Sequence, residues 1–446
     1  MDPDTAVLPS SPPSGPASDP PSGSASDPPS RSASEQPRGG ARPGSRWARV
    51  RRLPIVLWNR LPAGADKKLA ALSALAGLLG TLVTGVVFVV NVLVGVVSRP
   101  TPPERTPSCH VRAAESQLSG YVLADRPTSG RYEPGDEWQC NSRHGRNSVR
   151  RDRVGAYTVR FPGLGVDGGT VEVTAAGGAA GMCGVVDWRP SDDGKDMLVR
   201  VWCADHAGAP ADTAFFARFL FLRGVSSATA YLRADRPRAA GYTLNDAYRY
   251  NSKGGSVSIT KRGGGSYAVL LERQQEPLRY YKGGVVTVTA AGADPAFCAV
   301  DRWFDHRGTH LAVFVDCYTP PGVPADAAFT MTYSVDLGAT RTAPVQGAHL
   351  WADQPSAARY SPSMDYQYNS GRDAVNRITR KGTGHYLVHL PGLTRPGGNV
   401  QVSAYRSAAV CGPSVPAQRR QGKEVTVRCH HGGQPVDVMF TLAFWQ

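Results

Sequence analysis

The first 108 residues of this 446-residue chain lack cysteine, and all eight cysteines lie between Cys109 and Cys429. Disulfides persist where thiols are oxidised, so this distribution predicts that the two ends of the chain face different compartments. Catalytic signatures are also missing: the sequence contains no G-x-S-x-G elbow, no H-E-x-x-H, no phosphate-binding glycine loop and no C-x-x-C pair. We therefore expect a protein that is not an enzyme, with no catalytic residue, cofactor or metal site.

Large apolar residues are almost absent from residues 1–45, where Pro, Ser, Gly and Ala predominate and only Val7 and Leu8 are aliphatics larger than alanine. Such a segment cannot bury enough apolar surface to offset the entropy of ordering. We predict a disordered, Pro/Ser-rich cytoplasmic tail with no assigned activity. Residues 46–68 follow as a basic juxtamembrane segment that mixes arginine and lysine with tryptophan, which suits contact with anionic headgroups.

Charge is missing altogether from residues 69–98. About 20 apolar helical residues cross the hydrocarbon core of a bilayer, so this stretch predicts one transmembrane helix. A cleaved secretory signal is the alternative, but its apolar region is normally about 7–15 residues long. Nine Lys and Arg against one acid between Arg38 and Lys68 place the N-terminus in the cytoplasm. The expected location is the cell membrane, as a single-pass signal-anchor protein with residues 99–117 as a linker and everything beyond it extracellular.

Small residues recur at four-residue spacing inside this predicted helix. Ala76, Gly80 and Thr84 would fall on one stripe, which lets two helices approach closely. The stripe predicts a homodimer through the helix. The alternative is that these residues have no partner, because small residues are common in membrane helices.

Beyond the linker the sequence repeats itself three times, over residues 118–223, 224–336 and 337–446. Each copy carries Ala-Asp-x-Pro, then Asn-Ser, Gly-x-Tyr-x-Val, Gly-Gly-x-Val-x-Val and Pro-x-Asp in the same order. A period of about 110 residues is that of a domain, since solenoid units reach about 50 residues at most. We therefore expect three equivalent domains.

Two-residue alternation bounded by Gly, Pro, Asn and Asp predicts β-strands throughout these copies. The predicted fold class is all-β: three tandem antiparallel β-sandwich domains, immunoglobulin-like or jelly-roll-like, after a single transmembrane helix and a disordered N-terminal tail. In the first copy we predict strands over residues 121–124, 137–141, 148–151, 157–161, 170–175, 183–188, 197–203 and 213–222.

Each copy contains one cysteine pair at nearly fixed separation, so the repeat restricts the 105 pairings that eight cysteines permit. The predicted disulfides join Cys183 with Cys203, Cys298 with Cys317 and Cys411 with Cys429. Each would close a hairpin at its open end and contribute roughly 3 kcal/mol. Cys109 and Cys140 remain, and we pair them, which would pin the linker to the first domain.

Repeated polar residues are the candidates for ligand binding. Carboxylates at strand ends can hold sugars or calcium, and an asparagine amide can face a ligand; the alternative for both is an ordinary turn residue bonded to nearby backbone. The Pro-x-Asp acids Asp212, Asp326 and Asp437 carry the same two interpretations. His385 and His389 lie four apart on a predicted strand, roughly 13 Å from each other and too far apart to share a metal. The candidate ligand-binding residues are Asp125, Asp235, Asp353, Asn141, Asn251 and Asn369.

Positive charge predominates in the extracellular part. The first 98 residues carry ten bases and six acids, which leaves +10 of the total +14 on residues 99–446. Clusters occur at Arg143–Arg153 and Arg377–Lys381. A basic surface favours anionic polymers, although an arginine-rich solvated face explains the same charge. The expected partners are the membrane and an anionic wall polymer, a glycan or a surface protein, without specific nucleic-acid recognition.

The run of repeated motifs over residues 120–446 resembles repeats in secreted or anchored proteins of high-GC Gram-positive bacteria that have no established activity. The resemblance implies a location at the cell surface and supplies no catalytic residue. We expect a membrane-anchored, extracytoplasmic surface protein with three disulfide-stabilised β repeats that binds or adheres to envelope polymer, glycan or protein. A structural stalk or scaffold without a ligand is the first alternative, and a hydrolase with an unfamiliar site is the second.

Overall fold

The computed structural model describes residues 117–177, 181–225, 227–244, 246–274, 283–337, 346–371 and 374–446. The predicted tail, juxtamembrane segment and transmembrane helix, together with all but the last residue of the linker, lie outside these residues. Within the described part, no helix is long and apolar enough to cross a membrane. The prediction of a membrane anchor at residues 69–98 therefore stays a prediction.

Strands account for most of the regular structure of all three repeats. In the first repeat the eight predicted strands are confirmed within three residues at each end, and a short strand at Arg131–Tyr132 was not predicted. The first repeat contains β1 (Leu118–Ala124), β2 (Arg131–Tyr132), β3 (Gln139–Asn141), β4 (Ser148–Arg153), β5 (Ala156–Phe161), β6 (Thr170–Ala175), β7 (Met182–Pro190), β8 (Met197–Ala204) and β9 (Phe215–Phe221). The second contains β10 (Thr229–Ala234), β11 (Gly241–Thr243), β12 (Arg249–Asn251), β13 (Val257–Gly263), β14 (Ser266–Leu271), β15 (Val285–Ala291), β16 (Phe297–His306), β17 (His310–Thr319), β18 (Val323–Pro324) and β19 (Ala328–Ser334).

The third repeat follows the same plan but splits one long strand in two at a Pro-Ser-Val-Pro sequence. It contains β20 (Gly347–Ala352), β21 (Arg359–Tyr360), β22 (Gln367–Asn369), β23 (Arg377–Gly382), β24 (His385–Pro391), β25 (Asn399–Tyr405), β26 (Val410–Pro413), β27 (Ala417–Arg419), β28 (Gly422–His431), β29 (Gln434–Pro435) and β30 (Met439–Trp445). The only helical elements among the described residues are 3-10 turns at Asp136–Trp138, Asp246–Tyr248 and Met364–Tyr366.

Each repeat is a sandwich of two antiparallel sheets, which confirms the predicted β-sandwich. The inner sheets have the orders β3-β1-β9-β6, β12-β10-β19-β15 and β22-β20-β30-β25, and the outer sheets β2-β4-β5-β8-β7, β11-β13-β14-β17-β16 and β21-β23-β24-β28-β26. In every repeat the first strand pairs with the last. The sheets also continue from one repeat to the next, because β7 pairs in parallel with β15 and β16 with β25.

The three repeats close into a ring, as equivalent hydrogen bonds at the three junctions show. The amide of Gly292 donates to the carbonyl of Val185 over 2.9 Å, and that of Arg406 donates to Val300 over 2.8 Å. The third junction joins the last repeat to the first, where the amide of Gly177 donates to Pro413 over 3.0 Å. The contacts therefore run from each repeat to the next and back to the start.

The repeated Gly-Gly turn is explained by the same junctions. A Cβ at Gly168 would stand 1.8 Å from the carbonyl oxygen of Ala247 in the second repeat. One at Gly397 would stand 1.5 Å from the carbonyl oxygen of Glu137 in the first repeat. A side chain is excluded at these positions because the 3-10 turn of a neighbouring repeat passes directly over the glycine.

A cyclic set of hydroxyl groups lies at the centre of the ring, where β6, β15 and β25 meet. Thr174 accepts from the amide of Val402, Ser403 from that of Val288, and Thr289 from that of Val173, over 3.3, 2.9 and 3.0 Å respectively. Each hydroxyl group thus binds the backbone of a different repeat. Every residue of the three central strands is buried.

Three disulfides surround a small cavity beside these hydroxyl groups. Cys183–Cys203, Cys298–Cys317 and Cys411–Cys429 are directly opposed cross-strand pairs with Cα atoms 4.1, 4.0 and 4.1 Å apart, which confirms their predicted pairing. Cys140 is also disulfide-bonded, and its predicted partner Cys109 lies outside the described residues. The cavity measures about 50 Å³, which is enough for a few waters and too small for a polymer unit.

Candidate functional site

The three Ala-Asp-x-Pro aspartates lie in turns that a tyrosine closes. The tyrosine hydroxyl accepts the amide of the residue after the aspartate, as Tyr132 does from Arg126 over 3.0 Å, and Tyr242 and Tyr360 do the same in the other repeats. Asp125 and Asp235 each lie next to an arginine, whereas burial raises the pKa of Asp353. The tyrosine and arginine partners at these turns belong to the same repeat as the aspartate. Contact of the aspartates with a ligand stays a prediction.

The three Asn-Ser asparagines are used inside the fold. Asn141 donates to Asn147 and to the carbonyl of Pro162 over 2.9 Å each, and its own oxygen accepts the amide of Arg143. Asn251 and Asn369 make the equivalent bonds in their repeats. Their amides are therefore occupied by backbone and side-chain partners that hold the loop before the fourth strand.

The Pro-x-Asp acids form a partly buried ion-pair cluster that recurs in every repeat. Asp212 accepts from both Nε and Nη2 of Arg151 over 2.9 Å, from the amide of Gly155 and from the hydroxyl of Tyr157 over 3.0 Å. Asp437 binds Arg380 and Asp326 binds Lys261 in the same way. The hydrogen bonds from Arg151 lower the pKa of Asp212 to about 2. These acids stabilise the fold and have no vacant oxygen for a ligand.

Acid titration should expose this role. A carboxyl whose pKa falls from 3.8 when unfolded to about 2 when folded stabilises the protein above pH 3.8, and that stability is lost as the pH falls through the folded pKa. Asp212→Asn should lower the free energy of unfolding by about 2 kcal/mol at neutral pH. Urea unfolding at about pH 7 and about pH 2 measures the difference, which should be much smaller at the lower pH.

The control is Asp192→Asn, because the Asp192 side chain is 97% exposed and makes one ion pair with Arg189. That variant should unfold like the parent protein at both pH values. An Asp212→Asn protein that loses as much stability in acid as the parent does would contradict the role of this carboxylate.

A basic cleft of about 500 Å³ opens at one end of the outer sheet of the third repeat. Arg359 reaches it from β21, Arg377 from β23 and His389 from β24. The remaining residues come from the end of β24, the end of β27, the start of β28 and the tight turn that joins β27 to β28. The full lining is Arg359, Arg377, His389, Leu390, Pro391, Arg419, Arg420, Gln421, Gly422, Lys423 and Glu424. We call this surface the basic cleft.

Five arginine and lysine side chains share the basic cleft with one acid. Glu424 accepts from Nε of Arg419 over 2.7 Å and lies 3.3 Å from Nδ1 of His389. Burial lowers the pKa of His389 below its usual value, so this imidazole is neutral at pH 7. Among the described residues Arg359, Arg377 and Arg420 have no acidic partner within ion-pair distance. The cleft therefore carries a net charge of about +4 from five bases and one acid.

The other predicted basic cluster, Arg143–Arg153 in the first repeat, is largely neutralised. Arg146 pairs with Glu133 and Asp136, Arg150 with Asp152, and Arg151 with Asp212. A charge already paired within the fold attracts an external anion weakly. The two clusters look equivalent in the sequence but differ in how far acids neutralise them in the structure. The third repeat is therefore the better candidate for binding an anion.

Lys423 is the residue of the basic cleft that sequence reasoning missed. It lies opposite Leu390 across the β24–β28 pair, and its counterparts in the other repeats, which lie opposite Leu271 and Phe161, are Leu311 and Met197. Both counterparts are fully buried in their cores. Alternation with Val425, Val427 and Cys429 already places Lys423 on the apolar face of its strand, and this is the signal that could have found it.

No known protein family, curated protein or solved structure matches this chain. Within the described part of the chain, no group of three or more His, Cys, Asp or Glu side chains could hold a metal ion. The chemistry that the basic cleft offers is fixed positive charge and hydrogen-bond donors.

Proposed function

We propose that this chain is a membrane-anchored surface protein whose third repeat binds an anionic polymer, without converting it, on the extracellular side. The disulfides of the three repeats fit an oxidising compartment. The uncharged run and its flanking bases support an anchor with a cytoplasmic N-terminus. The single observation that carries the binding function is the basic cleft, where three guanidinium groups lack an acidic partner among the described residues.

Guanidinium groups suit this function because they stay charged at every physiological pH and bind phosphate or carboxylate through two parallel hydrogen bonds. The three unpaired arginines come from β21, β23 and the turn after β27. They therefore contact a ligand at several places along the basic cleft. A polymer with regularly spaced negative charges satisfies this arrangement better than a single small anion does.

The test uses the full chain purified in detergent and an anionic polymer of defined length, with affinity measured by titration calorimetry. Changing Arg359, Arg377 and Arg420 together to serine should weaken binding by about 1,000-fold or more, because each charged hydrogen bond is worth about 1.5 kcal/mol or more. Binding to the parent protein should also weaken as salt is added, since exposed charges are screened.

The matched control changes Arg131, Arg153 and Arg238 to serine. These arginines are exposed, lie outside the basic cleft and carry the same total charge, and Arg131 is the counterpart of Arg359 in the first repeat. The control should bind like the parent. Equal loss in both triple variants would show that net charge alone attracts the polymer, and absence of binding to the parent at low salt would remove the proposed function.

A structural scaffold without a ligand is the second candidate, and the closed ring of three repeats favours it. Hydrogen bonds at all three junctions hold the repeats together, as a load-resisting spacer requires. This candidate gains support if the parent protein binds no anionic polymer at any ionic strength.

A further inference from the structure

Lys423 is a charged residue at a core position where the other two repeats have an uncharged residue. The equivalent position is occupied by Leu311 in the second repeat and by Met197 in the first, and neither has exposed surface. Lys423 itself is 2% exposed. A buried ammonium group costs stability that leucine or methionine would not. Packing therefore does not account for the lysine.

Few groups within the protein satisfy the ammonium group of Lys423. Among the described residues it donates to Oε1 of Gln418 over 2.7 Å, and it lies 5.7 Å from the centre of the Phe444 ring. The acid whose charge stabilises the ammonium group is Glu137, from the first repeat. An ammonium group has three donors, so the described partners leave it short of acceptors. An incoming anion would supply them.

The position of Gln418 leaves this ammonium group close to the surface. Gln418 is itself exposed and lies beside the turn between β27 and β28, where its amide nitrogen donates to the carbonyls of Arg419 and Gly422 over 3.0 Å each. Lys423 lines the basic cleft together with the arginines of that turn. A ligand held by the arginines therefore lies within reach of the buried amine.

The lining of the basic cleft also restricts the class of ligand. It contains no Phe, Tyr or Trp side chain, and its one imidazole, that of His389, lies against Glu424, so nucleobases and sugar rings find no broad aromatic face on which to stack. Recognition must then come from charge and hydrogen bonds. A phosphodiester group carries its charge throughout the physiological pH range and accepts bidentate bonds from arginine. It can accept a further bond from lysine, which commonly binds phosphate as a point charge.

We propose that the basic cleft holds a phosphodiester-linked polyanion without bases and that Lys423 is the buried anchor for one of its phosphate groups. This inference rests on the proposed function, because it names the ligand class and the decisive residue of the same site. The arginines attract the polymer and align it, and the amine of Lys423 completes its hydrogen bonds only when the phosphate is present.

The anchor makes binding depend on pH. Burial lowers the pKa of Lys423 to about 8, and a bound phosphate would raise it again, so binding takes up a proton above pH 8. Affinity should therefore fall as the pH rises beyond 8. Burial lowers the pKa of His389 below its usual value, so this imidazole is already neutral in that range. The charged or titratable groups that face Lys423 or share its cleft are Glu137, Arg359, Arg377, His389, Arg419, Arg420 and Glu424.

The test exchanges Lys423 for the residues that the other repeats use, in the full chain purified in detergent. Lys423→Leu and Lys423→Met should fold, since leucine and methionine fill this place elsewhere in the same ring. Both should raise Tm at pH 7 and weaken binding of a poly(glycerol phosphate) chain by about 10-fold or more. The residual binding should no longer fall above pH 8.

The stability of the Lys423 variants relative to the parent depends on pH through the same ammonium group. Below pH 8 the lysine is protonated in both states, and burying its charge destabilises the folded protein. Between pH 8 and the unfolded value of 10.5 the unfolded chain binds the extra proton, so the parent protein gains stability as the pH rises. The Tm advantage of Lys423→Leu should accordingly shrink above pH 8.

Lys195→Met serves as the control, because the Lys195 side chain is 78% exposed and lies in the first repeat. It removes the same charge and should change neither Tm nor affinity. If Lys423→Leu binds the polymer as tightly as the parent, the anchor is wrong while the proposed function stands. If the parent itself does not bind, the proposed function fails as well.

Further arms identify the source of the phosphodiester. Vesicles of anionic phospholipid present the same group at a membrane surface, and selective binding to them would assign the site to headgroups instead of a soluble polymer. Equal affinity for a carboxylated glycan or for single-stranded DNA would overturn the assignment to a base-free phosphodiester chain. We expect the glycerol phosphate polymer to bind most tightly.

Discussion

Replacing Arg218 by methionine is expected to lower the free energy of unfolding by about 3–5 kcal/mol, the loss found when one partner of a buried ion pair is removed. The Arg218 and Glu172 side chains are 9% and 3% exposed, and Nη1 of Arg218 lies 3.2 Å from Oε2 of Glu172. The variant leaves the carboxylate of Glu172 buried without its counter-ion. Chemical denaturation of the full chain, followed by tryptophan fluorescence, measures the change.

This ion pair ties the three repeats to one another, which adds to its effect. Thr287 of the second repeat donates to Glu172, and the guanidinium of Arg218 stacks 3.9 Å from the centre of the Trp445 ring in the third repeat. The third repeat carries Gln401 and Ala443 in place of the pair, so the fold itself does not need the charges.

The control for this prediction is the double change Glu172→Gln with Arg218→Met, which removes both charges and nearly conserves volume. It should recover most of the stability, because neutral replacements of a buried pair are often tolerated. A single Arg218→Met protein that unfolds at the same denaturant concentration as the parent would contradict a structural role for the pair.

One repeat cut out of the ring is expected not to fold. Met182 and Trp202 of the first repeat belong to the core of the second, and Leu123 and Phe216 belong to the core of the third. A fragment of residues 117–225 would expose these side chains, and each contributes about 2 kcal/mol when buried. Together they approach the entire stability of a small domain, about 5–15 kcal/mol.

Far-UV circular dichroism and dye binding of the fragment test this expectation, with the full chain as the reference. The fragment should show little cooperative melting and should bind a hydrophobic dye, whereas the three repeats of the full chain should melt in one transition. A fragment that melts cooperatively at the Tm of the full chain would show that the repeats are independent domains.

The strands and disulfides were predictable because they depend on local patterns. Alternation placed β6 at residues 170–175, where the structure has it, and the repeated cysteine spacing fixed three pairs. Ring closure was not predictable, because Glu172 and Thr174 have the alternation of a solvent-facing edge. Only the contact with other repeats, hundreds of residues away for Gln401 and Thr174, reveals that this face is buried.

Only part of the candidate site was likewise predictable from the sequence. Arg377 belongs to a charge cluster that the sequence shows, but the pairing that neutralises Arg146 and Arg151 depends on acids brought near by folding. The repeated asparagines drew attention because they recur, yet recurrence here marks what all three copies need for folding. Lys423 occurs once, and its meaning emerges only beside Leu311 and Met197.

Fusion of the three copies into one polypeptide has a consequence for stoichiometry. In an assembly of three identical subunits, any substitution would occur three times, at every equivalent position around the axis. Here lysine occupies this position in the third repeat only, and the other two repeats keep leucine and methionine. The junctions between the repeats are therefore unchanged. If the third repeat binds the polymer as proposed, titration should give a ratio of one binding segment to one protein.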